Sequence, residues 1–189
     1  MAIAWAIGAG VGLALLAGSR SFIPLAVYML FARLGWVWGF HAEGTAFDFI
    51  LSNAAIAVLL ALAVAEILLT RLRALAAAAV ILRLPIAAVA GAVLLIATVS
   101  AETSAPLYYI GLPAGALLAM LGVYVHKGLV MAGEGADPGP ALDFSVVVLS
   151  CLMMLVPPAG YLLGAVILWL AWRVRKLKRL KYKGLRVLA

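Results

Sequence analysis

Apolar residues run along this chain in long unbroken blocks separated by short polar punctuation. The blocks show neither the two-residue alternation of a half-buried strand nor the narrow apolar stripe of a surface helix. They read as helices that are apolar all round, which belong in a protein core or in lipid. The first block runs from about Ala2 to Gly18 and the second from about Phe22 to Trp38. Only Ser19, Arg20 and Ser21 join them, so the two form a tight antiparallel helical hairpin. Ser19 or Ser21 is the expected cap of the second helix, and Pro24 suits its first turn. Arg33 lies near Trp36 and Trp38, where a cation snorkels to an interface.

Further blocks follow at about Ala54–Thr70, Pro85–Ser100 and Leu107–Val125. Arg83-Leu84-Pro85 is expected to break the chain, because proline removes a backbone donor and disfavours helix before it. His126 and Lys127 are expected to close the fifth helix. The last block, Phe144 to Trp172, is interrupted at Pro157 and Pro158.

Composition identifies the solvent. The 189 residues are 68% hydrophobic and 11% charged, whereas a soluble domain is about half apolar and about a quarter charged. The expectation is an all-α polytopic integral membrane protein, with residues 1–172 as one transmembrane domain and 173–189 as a basic cytoplasmic tail. The first block lacks a positive start and reads as a retained span rather than a signal peptide. Eight of the 14 Lys and Arg lie between Arg173 and Arg186, so the net charge of +7 resides in the tail. Such a segment suits anionic lipid headgroups and not nucleic acid. The single cysteine, Cys151, excludes an internal disulfide, and no metal or cofactor motif is present.

Charge also bears on topology. As one helix, Phe144–Trp172 would be roughly 43 Å long at about 1.5 Å per residue, beyond a hydrocarbon core of about 30 Å. A single crossing, giving six spans, would put Arg20, Arg71, Arg73, Arg83 and Lys127 outside. Five full spans plus a re-entrant hairpin turning at Pro157-Pro158 put all of them on the cytoplasmic side with the tail. The second arrangement obeys the positive-inside tendency and is preferred.

Gly8, Gly10, Gly12 and Gly18 give the first helix a close-packing face, and Gly8 onward aligns without gaps on Gly111 onward, an indication of an internal repeat. The chain resembles a family of small bacterial membrane proteins named domain of unknown function 4126. The resemblance rests on Gly18-Ser19-Arg20-Ser21-Phe22-Ile23-Pro24 after a glycine-rich helix and on Glu66 late in the third block. It extends through Arg83-Leu84-Pro85 to Gly91, Gly115 to His126-Lys127, and the proline-broken last segment. It departs at Arg71-Leu72-Arg73, where the family is more acidic. It implies a bacterial inner-membrane protein and carries no chemistry.

Candidate chemistry comes from charge at membrane depth, which is costly and marks function by default. Glu66 lies five residues before Arg71, and the preferred topology gathers Arg20, Glu66, Arg83, Lys127 and Asp143 on one side. Such a cluster suits an anionic solute or a lipid headgroup, and the leading expectation is a small transporter or channel-like protein. The bland reading is that Glu66 pairs with Arg20 or Arg83 and ties helices together. Two other functions stay open: a non-catalytic subunit that packs through its glycines into an oligomer or larger complex, and a membrane-embedded enzyme acting on lipid. Gly8, Gly12, Gly18, Pro24, Pro85, Pro157 and Pro158 are expected to govern packing and helix breaks.

Overall fold

Among the described residues seven helices appear where the apolar blocks lie: α1 (Ala2–Ala17), α2 (Phe22–Leu34), α3 (Asn53–Arg71), α4 (Ala76–Ser100), α5 (Pro106–Ala132), α6 (Gly139–Leu155) and α7 (Ala159–Leu185). This computed structural model describes residues 2–35, 52–71, 76–100, 106–132 and 139–185. Trp36, Trp38, His41, Glu43, Asp48, Arg73, Glu102 and Arg186 lie outside the described residues.

The uniformly apolar first block becomes the centre of the bundle. α1 packs against α2, α4, α5, α6 and α7, and it is buried almost throughout from Gly8 to Gly18. Its glycines set how near the neighbours come. A side chain at Gly8 would strike the Pro157 carbonyl and the Tyr161 ring, and one at Gly12 would strike Met153 and Gly160. One at Gly18 would strike the α5 backbone from Ala119 to Val123. Every one of these faces is spent inside the bundle, where missing Cβ atoms let backbones touch.

Helix directions follow from the same contacts. Gly10 lies against Leu95 and Thr98, while Arg83 reaches the end of α1, so α4 runs antiparallel to α1. Gly111 meets Ile96 and Gly115 meets Gly91, which makes α5 parallel to α1. Thus Gly8 and Gly111, equivalent in the proposed repeat, face different neighbours. α6 begins near Arg20 at Asp143 and descends to Gly12 at Met153. The chain then turns at Val156-Pro157-Pro158, and α7 returns alongside α1, with Gly160 against Gly8 and Gly164 beside Val11 and Leu15. The last block is therefore a helical hairpin whose turn lies level with Gly8, six residues or about 9 Å short of the start of α1. α6 and α7 scarcely touch each other; α1 sits between them.

Four local expectations are corrected. Pro85 does not break the chain but lies inside α4, which continues back to Ala76; a helix tolerates proline where surrounding groups make up for the lost backbone bond. Lys127 does not end α5, which continues to Ala132. α2 stops at Leu34 rather than Trp38, because Gly35 adopts a left-handed conformation and its N–H turns back to the carbonyls of Phe31 and Ala32. Neither serine side chain caps α2: Ser19 Oγ donates to the Leu16 carbonyl and Ser21 Oγ to that of Ala17.

Leu82–Ser100 and Tyr109–Gly128 are long and apolar enough to cross a membrane. Ile3–Ala17, Phe22–Leu34, Asn53–Leu69 and Pro140–Leu155 are apolar but shorter. The outer surface is apolar as well, with Val89, Ile110, Leu117, Phe144, Leu162 and Leu168 all more than half exposed.

Candidate functional site

The turn between α1 and α2 leaves two helix ends facing one another with only a few residues between them. At the end of α1 carbonyl groups lack intrahelical partners, and at the start of α2 amides lack theirs. The turn's own amides and serine hydroxyls serve the carbonyls of Leu15, Leu16 and Ala17, and other helices supply further partners. Arg83, in the third turn of α4, donates through one terminal nitrogen to the Ser19 carbonyl at 2.5 Å and to that of Gly18 at 3.4 Å. Glu66, near the end of α3, accepts from the Ser21 amide at 2.8 Å with one carboxylate oxygen and from the Phe22 amide at 3.0 Å with the other. A cation thus closes a helix C-terminus and an anion closes a helix N-terminus, each against the favourable end of a macrodipole.

Glu66 reaches that position because of where it sits on α3. Ile56, Leu59, Ala63 and Ile67 form the helix stripe turned towards the core, and Glu66 lies on the same face. The opposite face of α3 exposes Val58, Val64 and Leu68.

Arg20 points the other way from the turn. Its Nε lies 2.5 Å from Asp143 Oδ1, and both side chains are buried. This ion pair joins the α1–α2 turn to the first turns of α6. Removing charges from water costs several kcal/mol for each ion, so a buried pair persists only with close geometry.

Together Arg20, Ser21, Glu66 and Arg83 bound a cavity of about 240 Å³, closed by Phe22, Leu62, Ala65, Leu69, Leu82 and Ile86. Arg20, Glu66 and Arg83 are its charged members, and most of its wall is apolar. Of the five charged residues singled out from sequence, the structure brings Arg20, Glu66 and Arg83 to this cavity. Asp143 joins through its pair with Arg20. Lys127 is exposed on α5 and is not part of the lining. The bland sequence reading fails in its detail, since the groups that hold Glu66 are the backbone amides of Ser21 and Phe22. Backbone partners leave no trace in side-chain patterns; the only hint was a turn of three residues between two long helices.

A second opening adjoins the first. Phe22, Leu25, Pro85, Ile86, Val89, Ala90 and Val93 line an apolar groove of about 360 Å³ between α2 and α4, and Phe22 and Ile86 belong to both openings. Elsewhere Tyr28 donates to the Ala97 carbonyl at 3.0 Å, and Tyr161 donates to that of Ala4 at 2.5 Å. On α7, Arg173 lies over the Trp169 ring and Lys176 over that of Trp172. Among the described residues no three His, Cys, Asp or Glu side chains come together as a metal-ligand group.

A family model described as Domain of unknown function (DUF4126) matches residues 7–176. No curated protein and no solved structure matches the chain.

Proposed function

This chain belongs to the DUF4126 family, and from that premise we propose a small polytopic inner-membrane protein of transporter type that takes an anionic group into the Arg20–Glu66–Arg83 cavity. The anion is a free solute or a lipid headgroup. The observation that carries this reading is the cavity itself: Arg20, Glu66 and Arg83 stand in its wall, with Arg20 also paired to Asp143, at one end of an otherwise apolar bundle. The apolar outer surface and the two spans of sufficient length support lipid as the solvent. Arg173 and Lys176, stacked on Trp169 and Trp172, have the composition of a membrane interface. The charged end of the bundle then faces the cytoplasm, with the basic end of α7 on anionic headgroups.

A second reading, a subunit with no ligand, draws on one observation: Arg20, Glu66 and Arg83 already bond within the chain. The two separate by experiment. In a nanodisc of neutral lipid, inorganic phosphate and glycerol phosphate are expected to raise the melting temperature of the protein saturably. Arg83→Gln is expected to abolish that response while remaining folded, and flux of the same anions into proteoliposomes distinguishes transport from binding. A melting temperature indifferent to both anions favours the ligand-free subunit.

A further inference from the structure

The cavity beside Arg20, Glu66 and Arg83 and the apolar groove share Phe22 and Ile86 in their walls, and the charged residues stand at one end of the pair. α2 and α4 both run away from the charged end: Ser21 and Arg83 lie beside it, and the Tyr28–Ala97 hydrogen bond lies farther along. The groove follows α4 in that direction from Pro85 to Val93, eight residues or about 12 Å. Leu25 and Ala90 are its buried members, while Val89 is well exposed beside them. A cavity with charged residues in its wall therefore adjoins an apolar groove that runs lengthwise towards the middle of the bundle.

We infer that the ligand of this site is an anionic glycerophospholipid, its headgroup in the Arg20–Glu66–Arg83 cavity and one acyl chain along the α2–α4 groove. The inference rests on the anion-binding reading and narrows it from any anion to a membrane lipid. Three observations select this occupant. The openings adjoin, with Phe22 and Ile86 in the walls of both. The charged residues stand beside the first opening and the second has none, the order of headgroup and acyl chain along a lipid molecule. The groove parallels helices that cross the bundle, as an acyl chain parallels a membrane span. In a bilayer the chain gains no hydrophobic energy by entering a groove, so retention depends on close van der Waals contact and on the headgroup bonds at its mouth. Chain and headgroup must therefore bind together.

The test is photocrosslinking in nanodiscs with a phosphatidylglycerol that carries a diazirine midway along one acyl chain. Labelling is expected to be several-fold denser on Val89 and Val93 than on the equally lipid-exposed Leu162 and Leu168 of α7. Val93→Trp, which fills the deep end of the groove, is expected to lose that enrichment while the melting response to glycerol phosphate persists. Should Val93→Trp fail to fold, Val89→Trp at the exposed rim serves in its place. Labels spread evenly over α3, α4 and α7 overturn the lipid assignment but leave the anion reading standing. Disulfide formation between two copies carrying Val89→Cys, in a Cys151→Ala background, also overturns it, because the groove is then filled by a second chain. Absence of any response to glycerol phosphate removes the anion reading and this one with it.

Discussion

Glu66 and Ser21 stand 45 residues apart and meet at 2.8 Å, a carboxylate oxygen of α3 accepting the amide at the entrance to α2. The other oxygen holds the Phe22 amide. A helix is thus capped from outside itself, at a turn of only a few residues.

Loss of this cap has a measurable cost. Hydrogen bonds to charged groups contribute about 1.5–3 kcal/mol, and loss of an N-cap costs about 1 kcal/mol. Glu66→Ala is expected to destabilise the protein by about 2 kcal/mol, and Glu66→Gln, which keeps one acceptor oxygen, by less. Denaturation in a mild detergent measures both; an Ala variant as stable as the parent would show that the cap is dispensable.

Arg20 and Asp143 are expected to behave as one unit. Either single alanine substitution leaves a buried charge alone and is expected to cost about 3–5 kcal/mol. The double variant Arg20→Met/Asp143→Leu is expected to recover much of that loss, since an apolar pair of similar size avoids the burial of charge. A double-mutant cycle on detergent-solubilised protein gives the coupling, and strictly additive losses would contradict the pairing.

Two glycines four residues apart on α7 provide an internal control. A Cβ at Gly160 would meet the Gly8 carbonyl, whereas one at Gly164 would find ordinary contacts of 3.6 Å and 3.8 Å with Val11 and Leu15. Gly160→Ala is expected to cost about 1–3 kcal/mol through overpacking. Gly164→Ala is expected to be neutral or to stabilise by about 0.5–1 kcal/mol through helix propensity. Melting curves that rank the two in the reverse order would disprove the close approach of α1 and α7.

The hairpin at Pro157-Pro158 predicts sidedness. Asp143 and Val174 both lie towards the Arg20 end. In a Cys151→Ala background, cysteines at Ser145 and Arg175 are expected to react with a membrane-impermeant thiol reagent from the same face. Reaction from opposite faces would restore the single crossing.

The sequence determined the helices, the apolar character of their surroundings and the family. Those properties follow from local composition: a block such as Leu107–Val125 is apolar on every side, whatever its neighbours. Glu66 and Arg20 were also legible as residues of interest, because a charge in an apolar helix requires compensation. Their partners were not legible. Whether Glu66 meets Arg83, Arg20 or two backbone amides depends on crossing points set by Gly18, Gly91, Gly115 and Gly122, where backbones approach closely enough to fix rotation and height. Pro85 gives the same lesson in the opposite sense: its local preference is to end a helix, and α4 continues through it under packing from α1 and α5. Only the tertiary structure decided that the charges serve the ends of α1 and α2, and that they border a cavity beside an apolar groove. The physical reason is that capping and cavity formation depend on distances between helices, which no periodicity within a single helix encodes.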